Sequence, residues 1–157
     1  MDVEGTQVNA YRYVLNRGFA LASAEYALWV MLNPSTADET TDDPTIRRVR
    51  AFTARQGLER LVVVNLFALR ATDPKVLTGS ASDVGEDNDR IIKLEAQCAS
   101  LIICAWGAHP VAVPRASVVL ELLEPRRGGL WCLGKTKSGA PRHPLYVKGD
   151  QPLVKFP

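Results

Sequence analysis

Two histidines and three cysteines in 157 residues are too few for most metal chemistry. Cys98, Cys104 and Cys132 are odd in number, widely spaced and set among apolar residues, which argues for reduced core thiols over a disulfide frame or a metal knuckle. His109 and His143 stand far apart, so no His-rich metal spacing exists, and neither metal nor cofactor is expected. No apolar run approaches the roughly 18 residues that a membrane span needs. The start, Met1-Asp2-Val3-Glu4-Gly5, is acidic where a targeting signal would be basic. A cytoplasmic location without membrane attachment is therefore expected. A Gly-x-Ser-x-Gly elbow is missing, and Gly134-Lys135-Thr136 lacks the Lys-Ser helix of a Walker loop. Esterase, metallohydrolase and P-loop chemistry thus have no footing.

What is present is an ordinary globule, 46% apolar and 23% charged, of a length suited to one domain over residues 1–157. The net charge of +2 conceals an asymmetry: from residue 115 onward there are eight Lys or Arg against three acids. A basic C-terminal third suits a phosphate-bearing partner, although charge clusters are more often solvated surface.

The chain is arranged around Leu28-Trp29-Val30-Met31-Leu32-Asn33-Pro34-Ser35. An apolar run of strand length that stops at Asn-Pro and is followed by a capped helix delivers polar groups to a sheet edge. Before it, Tyr11 to Leu15 alternates as a half-exposed strand, and Asn16-Arg17-Gly18 predicts a turn toward Phe19-Ala20-Leu21, hence an N-terminal β-hairpin. Glu25 to Leu32 reads as the first core strand. Asp42 or Asp43 caps a helix with Pro44 in its first turn, Ile46, Val49 and Phe52 on one face, and Gly57 at its close. Arg60 to Leu66 is the second strand. A helix from the Gly85 to Asp89 region reaches about Ala99, with Ile91, Leu94 and Cys98 on one stripe. Leu101 to Ala105 is the third strand, residues 112–124 are helical, and Leu130 to Leu133 is the fourth strand. The remainder is an irregular tail. This alternation predicts an α/β fold with a mostly parallel sheet and helices on both faces. In such a sheet the four strand ends, at Asn33-Pro34-Ser35, Asn65-Leu66-Phe67, Trp106-Gly107 and the Gly134 to His143 loop, share one edge.

The residues at that edge define candidate chemistry. Asn33 could orient a water or grip a ligand, or merely cap its own loop at Ser35 or Thr36. Asn65 offers the donor and acceptor pair needed to read a nucleobase edge. Phe67 and Trp106 could stack a flat ligand or fill the core. His143 could meet a developing negative charge, or lie on the surface. Lys135, Lys137 and Arg142 suit phosphate oxygens, the alternative being a solubilising loop. Asp38, Asp42, Asp43 and Asp73 include possible general bases, some of which serve only as caps.

The same residues carry a resemblance. Met31 to Asp38, Asp43-Pro44-Thr45, Val64 to Pro74 with Arg70 inside it, Asn88-Asp89, Ala105-Trp106-Gly107 and the Gly134 to Leu145 tail are similar to the domain of unknown function 1643 family, which implies no activity. More distantly, Asn-Pro after strand one, Asn after strand two, Trp-Gly after strand three and a late His-Pro resemble the uracil-DNA glycosylase superfamily. That likeness implies a three-layer α/β/α sandwich with a four-stranded parallel sheet. It also implies that Asn33 positions the attacking water, Asn65 reads a flipped pyrimidine, His143 stabilises the departing base anion and Leu145 serves as an apolar wedge. The resulting expectation is a monomeric, cofactor-free N-glycosidase that releases a modified or mismatched base from nucleic acid, DNA before RNA. Asn33 and Asp38 would place the water, and His143 would assist departure. Pro34, Ser35, Asn65, Phe67, Arg70, Trp106, Gly107, Lys135, Lys137 and Arg142 would hold the substrate. The alternatives are a non-catalytic nucleotide or nucleic-acid binding module and a hydrolase of free nucleosides or nucleotides.

Overall fold

The computed structural model describes residues 10–18, 25–124 and 128–157. Among the described residues six strands form one mixed sheet: β1 (Leu15–Arg17), β2 (Ala27–Met31), β3 (Leu61–Asn65), β4 (Leu101–Cys104), β5 (Leu130–Cys132) and β6 (Val154–Phe156). Their order is β1-β3-β2-β4-β5-β6. The inner strands β3, β2, β4 and β5 run parallel, while β1 and β6 pair antiparallel at the two margins.

The expected four-stranded sheet is thus corrected to six strands. Asn16 and Arg17, expected at the bend of a hairpin, instead continue from Leu15 as a strand on β3, with Leu15 opposite Val63 and Arg17 opposite Leu61, while the rest of the expected strand, Tyr11 to Val14, holds only a single bridge from Tyr11 to Leu69. The hairpin's returning half, Phe19-Ala20-Leu21, lies outside the described residues. Arg17 can occupy a strand because its buried guanidinium is anchored: Nε donates to Asp42 at 2.6 Å and the remaining nitrogens reach backbone carbonyls of the 38–41 loop. The last strand, β6, emerges from the tail read as irregular; Val154-Lys155-Phe156 is too short for a periodic signal, and only Phe156 is buried.

Strand residues feed two cores. Leu28, Val30, Val62, Val64, Ile102 and Cys104 face one side, and Ala27, Trp29, Met31, Leu61, Val63 and Ile103 the other. Helices cover both faces, so these parallel strands read as continuous apolar runs. Helix α1 (Pro44–Arg55) lays Ile46, Val49 and Phe52 on the second face. Of the two possible caps, Asp43 is the one used: its side chain accepts from Ile46 N, and Pro44 needs no partner for its nitrogen. Trp29 Nε1 donates to Thr53 Oγ1 at 2.9 Å, so the largest buried side chain of that core leaves no polar atom stranded.

After β3 come a 3₁₀ turn (Pro74–Val76), the single-turn α2 (Ala81–Val84) and α3 (Asn88–Cys98). With α4 (Ala112–Leu123), α3 packs on the first face. The stripe on α3 differs from the expected one. Asn88, Ile92 and Ala96 are buried, whereas Leu94 is 51% exposed and Cys98 is exposed. Side-chain size suggested Ile91-Leu94-Cys98; the true i, i+4 row begins with a polar asparagine, for a reason given below. Cys104 and Cys132 are the core thiols, opposite each other on β4 and β5, and burial pushes both up. No helix among the described residues is long and apolar enough to cross a membrane.

Candidate functional site

A cavity of about 510 Å³ opens where the four parallel strands end, within the range of small-molecule sites. β2 feeds Asn33, Pro34 and Ser35 into its wall, β3 ends on Asn65, and Trp106 and Gly107 follow β4. The segment after β5 contributes Arg142, His143 and Leu145. The strand order places β3 on one side of β2 and β4 on the other, so chain segments diverge here and leave a crevice at the strand ends.

Asn33 has a fixed orientation. Its Nδ2 donates to Ala71 O at 2.7 Å and to Pro34 O at 3.0 Å, tying the loop after β2 to the loop after β3. Two carbonyl partners can only face the nitrogen, so Oδ1 is the atom left as an acceptor. Neither Ser35 nor Thr36 receives a hydrogen bond from this side chain among the described residues. Asn65 is 3% exposed, and its carboxamide has no hydrogen bond among the described residues. Its backbone is held instead from below. Asn88 Nδ2 donates to Asn65 O and Leu66 O, and Arg115 Nε donates to Leu66 O at 2.8 Å while its Nη2 pairs with Asp89. That is why a polar residue heads the buried row of α3.

His143 Nδ1 accepts from Leu145 N at 3.1 Å, starting a 3₁₀ turn (Pro144–Tyr146). The bond assigns the proton to Nε2, leaving a donor on a ring that lines the cavity. Burial lowers its pKa, against the opposing charge of Asp43, so the imidazole is neutral at pH 7. Gly107 has φ +80°, and a Cβ there would approach His143 Cβ at 3.5 Å; glycine lets the chain turn tightly beside the histidine. Trp106 is 4% exposed and packs edge-on against Phe156 at 5.7 Å, so most of its ring belongs to the core and only part reaches the cavity. The 144–147 turn is pinned to α1 by Arg48, which donates to Pro144 O and Val147 O. Leu145, 40% exposed, and Tyr146, 77% exposed, form the rim.

Five expected residues do not line the cavity: Asp38, Phe67, Arg70, Lys135 and Lys137. Asp38 is exposed, and its carboxylate accepts from Thr40 N and Thr41 N, closing its own turn; those bonds hold its carboxyl below the usual range. Phe67 is fully buried in the first core and cannot stack a ligand, since its backbone follows β3 into the interior, with Phe67 N donating to Leu32 O. Lys135 and Lys137 are exposed on a loop closed by the Lys135 to Pro141 bridge, which turns away while Arg142 returns. Arg70 is half-buried behind the wall.

Sequence reasoning passed over Arg12 and His109, and named Asp43 among four possible general bases or caps without singling it out; all three line the cavity. Arg12 stands between two tyrosines and was legible only as the polar phase of an alternating segment. His109 Nδ1 accepts from Val111 N at 3.1 Å, two residues onward as in His143, so its Nε2 is likewise the protonated nitrogen. Asp43 Oδ1 accepts from Ile46 N, and its Oδ2 from Ala37 N and, at 3.4 Å, from Thr36 Oγ1. Among the described residues, no three His, Cys, Asp or Glu side chains gather as a metal site.

A family model described as protein of unknown function (DUF1643) matches residues 12–145. The match begins at Arg12 and ends at Leu145, both on the cavity. No curated protein and no solved structure matches this chain.

Proposed function

The chain belongs to the DUF1643 family, and from that premise we propose that its cavity binds a nucleobase and hydrolyses the bond joining it to a sugar. The observation that carries this reading is the gathering of Asn33, Asn65 and His143, three segments apart in sequence, around one cavity at the strand ends. The Asn65 carboxamide, free on both its donor and its acceptor side, pairs with the edge of a base. Asn33 Oδ1 accepts from a water and holds it toward the sugar C1′. As the water oxygen bonds to C1′, the C1′–N bond breaks and its electron pair leaves on the base; the proton lost by the water is balanced by protonation of the departing base anion from solvent, so that the products are the free base and a hydroxyl on C1′. The His143 Nε2–H donates to the base as negative charge develops, and a neutral imidazole does this without first losing a proton. Leu145 and Tyr146 at the rim supply apolar surface to a flipped nucleotide's neighbours. This is the uracil-DNA glycosylase-like reading of the chain, with nucleic acid, DNA first, as substrate.

The test is incubation of the full chain with single- and double-stranded oligonucleotides carrying uracil, hypoxanthine or other modified bases, followed by alkali, and with free nucleosides followed by chromatography. Base release that vanishes in Asn65→Ala and His143→Ala supports the reading, and release from no substrate contradicts it.

One observation favours a second reading, a nucleotide-binding module without catalysis. Both oxygens of Asp43, the carboxylate on the cavity wall, already accept from backbone N–H groups, which makes it a weaker base toward the water. Salt-dependent binding of oligonucleotides with no base release distinguishes it.

A further inference from the structure

We propose that Arg12, backed by Arg70, forms a phosphate-binding subsite on the β2 side of the cavity, so that the ligand carries a phosphate oxyanion beside its base. The identity of the neighbouring group rests on the nucleobase reading above; the anion site does not.

Arg12 lines the cavity and uses one arm of its guanidinium, Nη1, on Ala37 O. Among the described residues neither its Nε, which is buried, nor its Nη2 has a hydrogen-bond partner. Neither Arg12 nor Arg70 is in an ion pair among the described residues. Asp43 is the carboxylate whose charge bears on Arg12 most, yet its oxygens already serve Ile46 N and Ala37 N. A guanidinium taken partly out of water beside a second one is costly unless an anion joins them. Burial first, and the charge of Arg70 next, push Arg12 down to about 10, a strain that an arriving anion reverses while the group stays protonated at pH 7.

The shape of the vacant part specifies the anion. With Nη1 committed and Nε enclosed, Nη2 is the arm left for a ligand, and its two hydrogens suit the oxygens of one phosphate. Thr45 and Ile46, in the first turn of α1, line the same cavity, but Ile46 N is already taken by the Asp43 carboxylate, so the helix start supplies no free donor there. Two neighbouring cations suit a multiply charged tetrahedral group better than a single carboxylate. The basic loop that the sequence offered for phosphate is therefore not the principal site: its Lys135 and Lys137 lie off the cavity.

The experiment is a titration of the full-length, ¹⁵N-labelled protein, following arginine Nε–Hε resonances, with inorganic phosphate, nucleoside 5′-monophosphates, the corresponding nucleosides and a short single-stranded oligonucleotide. The Arg12 signal, identified by its loss in Arg12→Lys, is expected to shift with every phosphate-bearing probe. Affinity for phosphate should fall about tenfold in Arg70→Gln, whose side chain makes no hydrogen bond among the described residues and whose fold is thus secure. It should vanish in Arg12→Gln and persist in His143→Ala. Tighter binding of the oligonucleotide assigns the phosphate to a nucleic-acid backbone; tighter binding of monophosphates assigns it to a mononucleotide. Absence of any Arg12 shift, or unchanged affinity in Arg70→Gln, overturns the proposal. Phosphate binding without base release removes only the glycosidic reading, whereas base release without an Arg12 shift removes only this subsite.

Discussion

The ends of β2 and β3 lie side by side, with Met31 in register with Asn65, and each delivers an asparagine to the cavity, yet the two are used in opposite ways. At the end of β2 the side chain builds the loop: Asn33 spends both amide hydrogens on backbone carbonyls. At the end of β3 the loop is built by others, since Asn88 and Arg115 hold the carbonyls of Asn65 and Leu66 and leave the Asn65 carboxamide uncommitted. A buried, unpaired carboxamide is expensive in a folded protein. On the proposed reading, one that opens on a cavity is instead a group kept in reserve for a ligand. The contrast separates scaffold from recognition between two chemically identical residues.

That contrast predicts a graded set of outcomes. The largest effect should come from the hidden support. Arg115→Met takes one of two donors from Leu66 O and the partner from half-exposed Asp89, costing about 2 to 3 kcal/mol of stability, read as a lower denaturant midpoint at unchanged slope. His143→Ala should lower base release by about 10²- to 10³-fold, as removal of one preorganised donor does, with little change in midpoint. Asn33→Ala should cost about 2 kcal/mol of stability because Ala71 O loses the Asn33 donor and Pro34 O keeps only Ala71 N, and activity falls with it. Asn65→Ala should move stability by less than about 0.5 kcal/mol while abolishing ligand binding. If the two asparagine variants cost the same stability, the contrast is broken.

The smallest effect is a pH dependence. The folded pKa of His143 lies below its unfolded value near 6.5, so the unfolded chain binds the extra proton first. Its contribution is complete above about pH 6.5 and is lost as pH falls through the lower folded value, when protonation also breaks the bond from Leu145 N. Denaturation midpoints measured between pH 7 and pH 5 should therefore fall more steeply for the native chain than for His143→Asn.

Much of this was legible from residues alone, for identifiable reasons. Strands covered on both faces read as the unbroken runs Ala27–Met31 and Leu61–Asn65, and each stops at a polar residue because the sheet interior stops there. Asp43-Pro44 announced α1 because cap chemistry is local. Whatever depends on distant partners stayed hidden. The segment at Asn16-Arg17 resembles a turn until Asp42 and the 38–41 carbonyls appear around Arg17. Asn88 looks like a helix start until the end of β3 rests on it. Phe67 follows Asn65 by two positions and looked like a stacking platform, but Leu32 O draws its backbone inward and the ring with it. Arg12 gave only the signal of a charge flanked by tyrosines; its role depends on Ala37 and Arg70, which are remote in sequence.

The central claim, that Asn65 is reserved for a base, is tested most directly by measuring base release from oligonucleotides and nucleosides carrying modified bases, with native protein and Asn65→Ala, alongside their denaturation midpoints. The account predicts release by the native chain, none by Asn65→Ala, and coincident midpoints. Release that survives in Asn65→Ala, or a lost activity matched by a lost fold, would contradict it.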